Sequence, residues 1–263
     1  MRKIKVKEIA KVIEDFAPLS LQESYDNAGL QVGDPEANVS AVLLCLDVTE
    51  DILREAIERE CNLIVSHHPL IFHGLKSLTG ADPTQRIVAE AIRRGIAIYS
   101  AHTNLDAAAE GVSAEIAHAL RLTNLRPLCP AAPGADTGLG IVGDIEAVPK
   151  LEFLRHLKDE FGVRALRYSA QSPQIVLHRV AICGGAGASF IKDAVKAGAD
   201  VYVSGDFKYH DFTTYGSRIL LADIGHYESE LCAMKIFSKV IREALPETVV
   251  LFAEREESPI SLL

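Results

Sequence analysis

Apolar residues recur along this chain in two rhythms. Over MRKIKVKEIAKVIEDF, Ile9, Val12, Ile13 and Phe16 share one face of a 3.6-residue helix, and Lys7, Glu8, Lys11, Glu14 and Asp15 fill the rest. Farther on, short unbroken apolar runs alternate with amphipathic stretches. Residues 42–66, VLLCLDVTEDILREAIERECNLIVS, read as apolar strand, polar turn, amphipathic helix, apolar strand. Residues 180–204, VAICGGAGASFIKDAVKAGADVYVS, read the same way with a glycine-rich turn. Strands without polar alternation are covered on both faces, as in parallel sheets, and parallel neighbours need a crossover. Each stretch therefore predicts a βαβ unit.

The two stretches align without a gap, Val42 on Val180. Cys45/Cys183, Ala56/Ala194, Val65/Val203 and Ser66/Ser204 are identical, and Leu53/Ile191 and Ile57/Val195 are conservative pairs. The first copy continues into a helix over Gln85–Arg94, the strand IAIYSAH and a helix from Leu105 to Leu120. The second continues into a strand over Ser217–Gly225 and a helix over His226–Ala244. The pattern predicts an α/β fold: two similar lobes from an internal duplication, with mixed, mostly parallel sheets flanked by helices. The lobes are expected at 1–124 and 179–263, packed as one unit. Residues 125–178, with PLCPAAPGADTGLG and a short helix over Lys150–Phe161, read as a linker and bridging segment.

Composition narrows the function. With 263 residues, 48% hydrophobic and 24% charged, the chain can bury a sizeable core. Its 27 basic against 36 acidic residues, net −9, argue against a nucleic-acid duplex as partner. No apolar run approaches the ~18 residues of a membrane span, so no membrane association is expected. The basic start is interrupted by charges where a signal peptide needs an apolar region, and a cytoplasmic protein is expected. Cys45, Cys61, Cys129, Cys183 and Cys232 contain no C-x-x-C pair, which excludes a disulfide scaffold or a thiolate zinc knuckle. Cys45 and Cys183 read as small buried hydrophobes.

Polar chemistry gathers at matching strand ends. The first repeat closes on Ser66-His67-His68-Pro69 and the second on Ser204-Gly205-Asp206. The following strands close on His102-Thr103-Asn104-Leu105-Asp106 and Gly225-His226-Tyr227-Glu228-Ser229-Glu230. Ligands of open α/β sheets bind beyond the carboxyl ends of the strands. Imidazoles and carboxylates suit Zn, Fe, Mn or Ni. A His and an acid four apart share one helix face, so His226 and Glu230 can chelate one ion or Glu230 can bridge two. His67, His68, Asp106, His226 and Glu230 suffice for a dinuclear site with positions left for water. Ordinary readings stand beside this one. Thr103-x-x-Asp106 is also a capping box, Glu228 and Glu230 are also first-turn acids, and His102 is also a hydrogen-bonded histidine.

These residues also carry a resemblance. Ser-Tyr-Asp-Asn-Ala-Gly-Leu-Gln-Val-Gly-Asp (24–34), Ser-His-His-Pro-Leu-Ile-Phe (66–72), His-Thr-Asn-Leu-Asp (102–106), Ser-Gly-Asp-Phe-Lys-Tyr-His-Asp (204–211) and Gly-His-Tyr-Glu-Ser-Glu (225–230) resemble the NGG-interacting-factor-three-like family. Its bacterial members are named GTP cyclohydrolase 1 type 2 homologs. The likeness spans nearly the whole chain. It implies intertwined lobes, two divalent metal ions per subunit on His67, His68, Asp106, His226 and Glu230, and a homohexamer with its sites facing an interior cavity. Tyr25 departs from the tryptophan common at its position, and the short 125–178 segment leaves no room for the extra domain of some relatives.

Two divalent ions lower the pKa of bound water towards ~7. Hydrolysis is the reaction class expected of such a pair, and the resemblance implies a metal-dependent, cyclohydrolase-like hydrolase of a nucleotide-like or heterocyclic small molecule. The alternative is a non-catalytic metal-binding regulatory or scaffold protein. His102 and His210 are candidates for proton transfer, and Asn27, Asp206 and Lys208 for substrate binding. Gly184-Gly185-Ala186-Gly187 reads either as a tight turn or as a phosphate cradle, though it lacks the G-K-[ST] ending of a P-loop.

Overall fold

The computed structural model describes residues 3–170, 172–173, 175–261 and 263. In chain order the first elements are α1 (Val6–Phe16), β1 (Gly29–Val32), β2 (Val42–Cys45), α2 (Glu50–Glu58), β3 (Leu63–Ser66), α3 (Pro83–Arg94), β4 (Ala97–Ser100), α4 (Thr103–Ala107) and α5 (Val112–Ala119). Then come β5 (Thr123–Pro130), β6 (Gly138–Pro149), α6 (Lys150–Glu160), β7 (Arg167–Tyr168), β8 (Val176–Ala186), α7 (Ile191–Lys196) and β9 (Val201–Gly205). The chain closes with α8 (Tyr209–Tyr215), β10 (Leu220–Asp223), α9 (His226–Glu230), α10 (Cys232–Ala244) and β11 (Val250–Phe252). They form two compact units. One runs through Leu105 and resumes over Ala233–Glu257; the other holds Asp106–Cys232 and Ser258–Leu263.

The first unit has a five-stranded sheet in the order β1-β4-β3-β2-β11. β4, β3, β2 and β11 are parallel, and β1 is antiparallel on the edge. Side chains alternate across a strand. Leu43, Cys45, Ile64 and Ile98 therefore face Ile52, Leu53 and Ala56 of α2 and Ile87, Val88 and Ala91 of α3. Local signals delimit α3. Asp82 caps its start by accepting from the Gln85 N–H, Pro83 opens it, and Gly95 at φ 65° ends it in a left-handed turn.

In the second unit the sheet order is β5-β6-β8-β9-β10-β7. β8, β9 and β10 are parallel at its centre, and the flanking strands are antiparallel. Ala181, Cys183, Tyr202 and Leu221 pack with Ile191 and Ala194 of α7 and with Phe212 and Tyr215 of α8. The repeat stretches keep one register: Val42 lies beside Leu63, and Val180 beside Val201. All five cysteines are free thiols, and burial pushes the Cys45 and Cys183 thiols above their usual range. Among the described residues no helix is long and apolar enough to cross a membrane.

The division of the chain differs from the one expected. Residues 125–178 are not a linker: they supply most of β5, all of β6, α6 and β7, and the start of β8, within the six-stranded sheet. Prolines and an exposed outer face disguise β5 as a loop, since an edge strand tolerates both. The expected second lobe at 179–263 also loses its end, because Ala233–Glu257 belongs to the first unit and β11 pairs with β2. Two expected helices are each broken in two. One divides into α4 and α5 around Gly111, the N-cap of α5, and the other into α9 and α10.

Glu55 of α2 binds the segment after β11. It is buried, and its carboxylate accepts the N–H groups of Glu254 and Arg255 at 2.8 and 2.9 Å and the Arg59 guanidinium at 2.5 Å. Burial pushes the carboxyl up, and these donors more than offset it, so its pKa lies below the usual value. A depressed folded-state pKa contributes stability above the unfolded value of ~4.3, lost as pH falls through the folded value. Glu55→Gln is expected to lower stability by about 2 kcal/mol at neutral pH. In denaturant titrations the gap from wild type should be constant above about pH 5 and narrow below about pH 4. An equal gap at all pH values would show that the charge contributes nothing.

Candidate metal centre

In the first unit three parallel strands end side by side, each delivering part of one cluster. β3 leads into His67 and His68, β4 into His102, and β2 into Asp47. Buried Ser66 turns the chain at the end of β3. Its hydroxyl donates to the His68 carbonyl at 2.8 Å and shares a hydrogen bond with Ser100 at 2.8 Å. The imidazole centroids of His67, His68 and His102 lie 5.1 to 5.5 Å apart. One ligand nitrogen from each is within 4.8 Å of the other two.

Each of these rings is anchored through Nδ1. His67 Nδ1 is 2.8 Å from the Ala101 carbonyl, His68 Nδ1 is 2.9 Å from Asp47 Oδ1, and His102 Nδ1 is 2.9 Å from Asp26 Oδ1. A carbonyl or an ionised carboxylate can only accept, so a neutral ring carries its proton on Nδ1 and its lone pair on Nε2. Hydrogen-bonded imidazoles presenting Nε2 have the arrangement of metal ligands. Asp26 is itself held by the Thr103 N–H at 3.0 Å and by the Thr103 hydroxyl. Burial pushes its carboxyl up, and the hydrogen bonds from His102 and Thr103 outweigh this, holding it well below the carboxylate range.

The second unit repeats the device. His226 opens α9 with Nδ1 2.8 Å from Asp206 Oδ2 and Nε2 3.0 Å from Glu230 Oε2. Glu230 is buried, 4% of its side chain being exposed, so its charge needs a cationic partner. Asp223 fastens the turns carrying Asp206 and His226. It accepts the Phe207 N–H at 3.1 Å, the Gly225 N–H at 3.1 Å and the Arg167 guanidinium. Gly185, at φ 62°, leaves room for Glu230, because a Cβ there would overlap the Glu230 carboxylate.

Residues 4–259 match the profile of the family described as Duf34/NIF3 (NGG1p interacting factor 3). The chain belongs to the DUF34/NIF3 family. It is 35% identical to the GTP cyclohydrolase 1 type 2 homolog of Clostridium acetobutylicum, over 92% of this chain and 91% of that one. It is 32% identical to NIF3-like protein 1 of Drosophila melanogaster, over 97% and 88% of the two chains. The Staphylococcus aureus protein SA1388 shares its fold with a TM-score of 0.89 and 27% identity, covering 99% of both chains.

Within this DUF34/NIF3 chain the sequence-expected residues separate. His102, expected to handle protons, stands with His67 and His68 as a donor of equal geometry. Asp206, expected to bind substrate, is committed to the His226 ring. Asn27 latches two loops: its side-chain amide donates to the Ile71 carbonyl at 2.6 Å, and its carbonyl accepts from Gln31 at 2.6 Å. Lys208 and His210 are exposed around the start of α8, where the Lys208 N–H goes to Asp211. Thr103 directs its hydroxyl to Asp26, 77 residues away in sequence, in place of a local capping box. The glycine-rich turn is internally satisfied. Gly185 and Gly187 each donate their N–H at 2.9 Å, to Ser229 and Ser204, so the turn reading replaces the phosphate cradle. Asp47, Asp223 and the orienting role of Asp26 escape sequence reasoning, because each is an ordinary acid at a strand end or in a loop.

Proposed function

We propose that the protein holds two divalent metal ions, with His67, His68 and His102 as donors in the first unit and Asp106, His226 and Glu230 as donors in the second, and that it is a metal-dependent hydrolase of a nucleotide-like or heterocyclic small molecule. The observation that carries this reading is the uniform anchoring of four histidines through Nδ1. Membership of a family whose bacterial relatives are named GTP cyclohydrolase 1 type 2 homolog supports the substrate class. The donor set of imidazoles and carboxylates suits Zn, Fe, Mn or Ni.

Two bound ions would supply Lewis acidity and a lowered water pKa. The chain contributes preorganisation. Asp47, Asp26 and the Ala101 carbonyl fix the tautomers of His68, His102 and His67, so their Nε2 lone pairs need no rearrangement on binding, whereas His226, between Asp206 and Glu230, would give up its Nε2 contact with Glu230 to an ion. Buried Glu230 adds negative charge next to His226, which favours cation capture.

Elemental analysis with anomalous scattering tests the binding, and turnover of GTP and a panel of related heterocycles tests the reaction. Two ions on the named residues, with steady turnover, are expected. Metal-replete protein inert to the whole panel would favour the regulatory reading. Absence of metal after soaking with zinc, manganese and iron would sink both.

A further inference from the structure

The segment after β11 lies beside the carboxyl end of β2. The Ala253 N–H donates to the Leu44 carbonyl at 2.9 Å, and Glu254 and Arg255 are tied to Glu55. Glu256 then reaches the residues that close β2. Its Oε2 accepts the Leu46 N–H at 2.8 Å, and the Asp47 N–H also donates to its carboxylate. Those two residues grip His68 from two directions. The Leu46 carbonyl accepts the His68 N–H at 2.9 Å, and Asp47 Oδ1 holds the His68 ring at 2.9 Å. The Asp47 side chain is 48% exposed. Its hold on the imidazole depends on where its backbone is placed, and Glu256 binds that backbone.

We propose that Glu256 is a positioning residue for the metal centre: through the N–H groups of Leu46 and Asp47 it keeps the Asp47 carboxylate on His68 Nδ1 and the His68 Nε2 lone pair aimed at the ion. The link to metal rests on the function proposed above, whereas the link to the His68 tautomer stands without it. Glu256 lies in none of the sequence motifs and acts across 210 positions of sequence.

Long-range proton–nitrogen NMR of the histidine rings in metal-free protein at pH 8 reads the tautomer directly. Chelator competition with zinc reads the affinity. Wild type is expected to show His68 as the Nδ1–H form. Glu256→Ala should give a mixture of tautomers and a 10–100-fold loss of affinity, the cost of losing an outer partner of a metal ligand. Glu256→Met, of similar length and without a strong acceptor, should do the same and keeps the test open if the alanine variant does not fold. Glu256→Gln retains one acceptor oxygen and should recover most of the effect. Glu55→Gln, which loosens the same segment elsewhere, should lower Tm and leave the tautomer unchanged. A folded Ala or Met variant with His68 still wholly in the Nδ1–H form overturns the proposal. So does a Glu55 variant that scrambles the tautomer equally. If wild type takes up no zinc, the metal reading fails, and the tautomer measurement still decides the role of Glu256.

Discussion

Gly185→Ala is expected to cost about 2–4 kcal/mol of stability and to weaken metal binding, for two separable reasons. The backbone at this position has φ 62°, where an L side chain costs roughly 1–2 kcal/mol. The added methyl would also overlap the Glu230 carboxylate and stand 3.4 Å from His226 Nε2. Glu230 is buried and bonded to His226, so it has no open solvent to retreat into. Gly198 supplies the control. Its φ is 71°, and a Cβ there meets nothing nearer than Arg179 at 3.9 Å. Gly198→Ala should share the backbone penalty and bind metal as wild type does. Denaturant titration and chelator competition on both variants check this. Equal metal affinity in the two would show that the shape of the β8 turn is not what seats Glu230.

The other large effect is expected at the donors themselves. His68→Ala and Glu230→Ala should each lower metal affinity roughly 100-fold or more, beyond the cost of removing an outer partner, and abolish turnover. Glu230→Ala also removes a buried carboxylate from beside His226. His102→Ala separates the two readings of that residue. As a ligand it is needed for metal uptake; as a proton carrier it is needed only for turnover. Its geometry, within 4.8 Å of His67 and His68, predicts that uptake falls. Full metal occupancy with lost turnover would return His102 to the catalytic role.

Much of this was legible in the residues because the signals are local. The apolar runs at 42–45, 63–66, 180–183 and 201–204 are strands because every side chain in them is covered. His67, His68, His102 and His226 fall just beyond strand ends, where parallel sheets leave backbone and side chains open to a ligand. What stayed hidden depends on partners remote in sequence. Residues 123–149 contain prolines and glycines that read as loop, yet they pair as β5, an edge strand that needs hydrogen bonds on one side only, and β6, held between β5 and β8. Asp47 looks like any polar residue after a strand until His68 is found against it.

By itself the sequence determined the α/β class, the two similar βαβ units and the residue types that can bind metal. Periodicity and ligand chemistry are properties of neighbours along the chain, and neighbours suffice to express them. Tertiary structure alone decided that β11 completes the first sheet, that His102 stands with His67 and His68, and that Asp26, Asp47 and Asp206 hold the rings. Those outcomes rest on hydrogen bonds between residues from 20 to more than 200 positions apart, whose pairing is set when the sheets assemble.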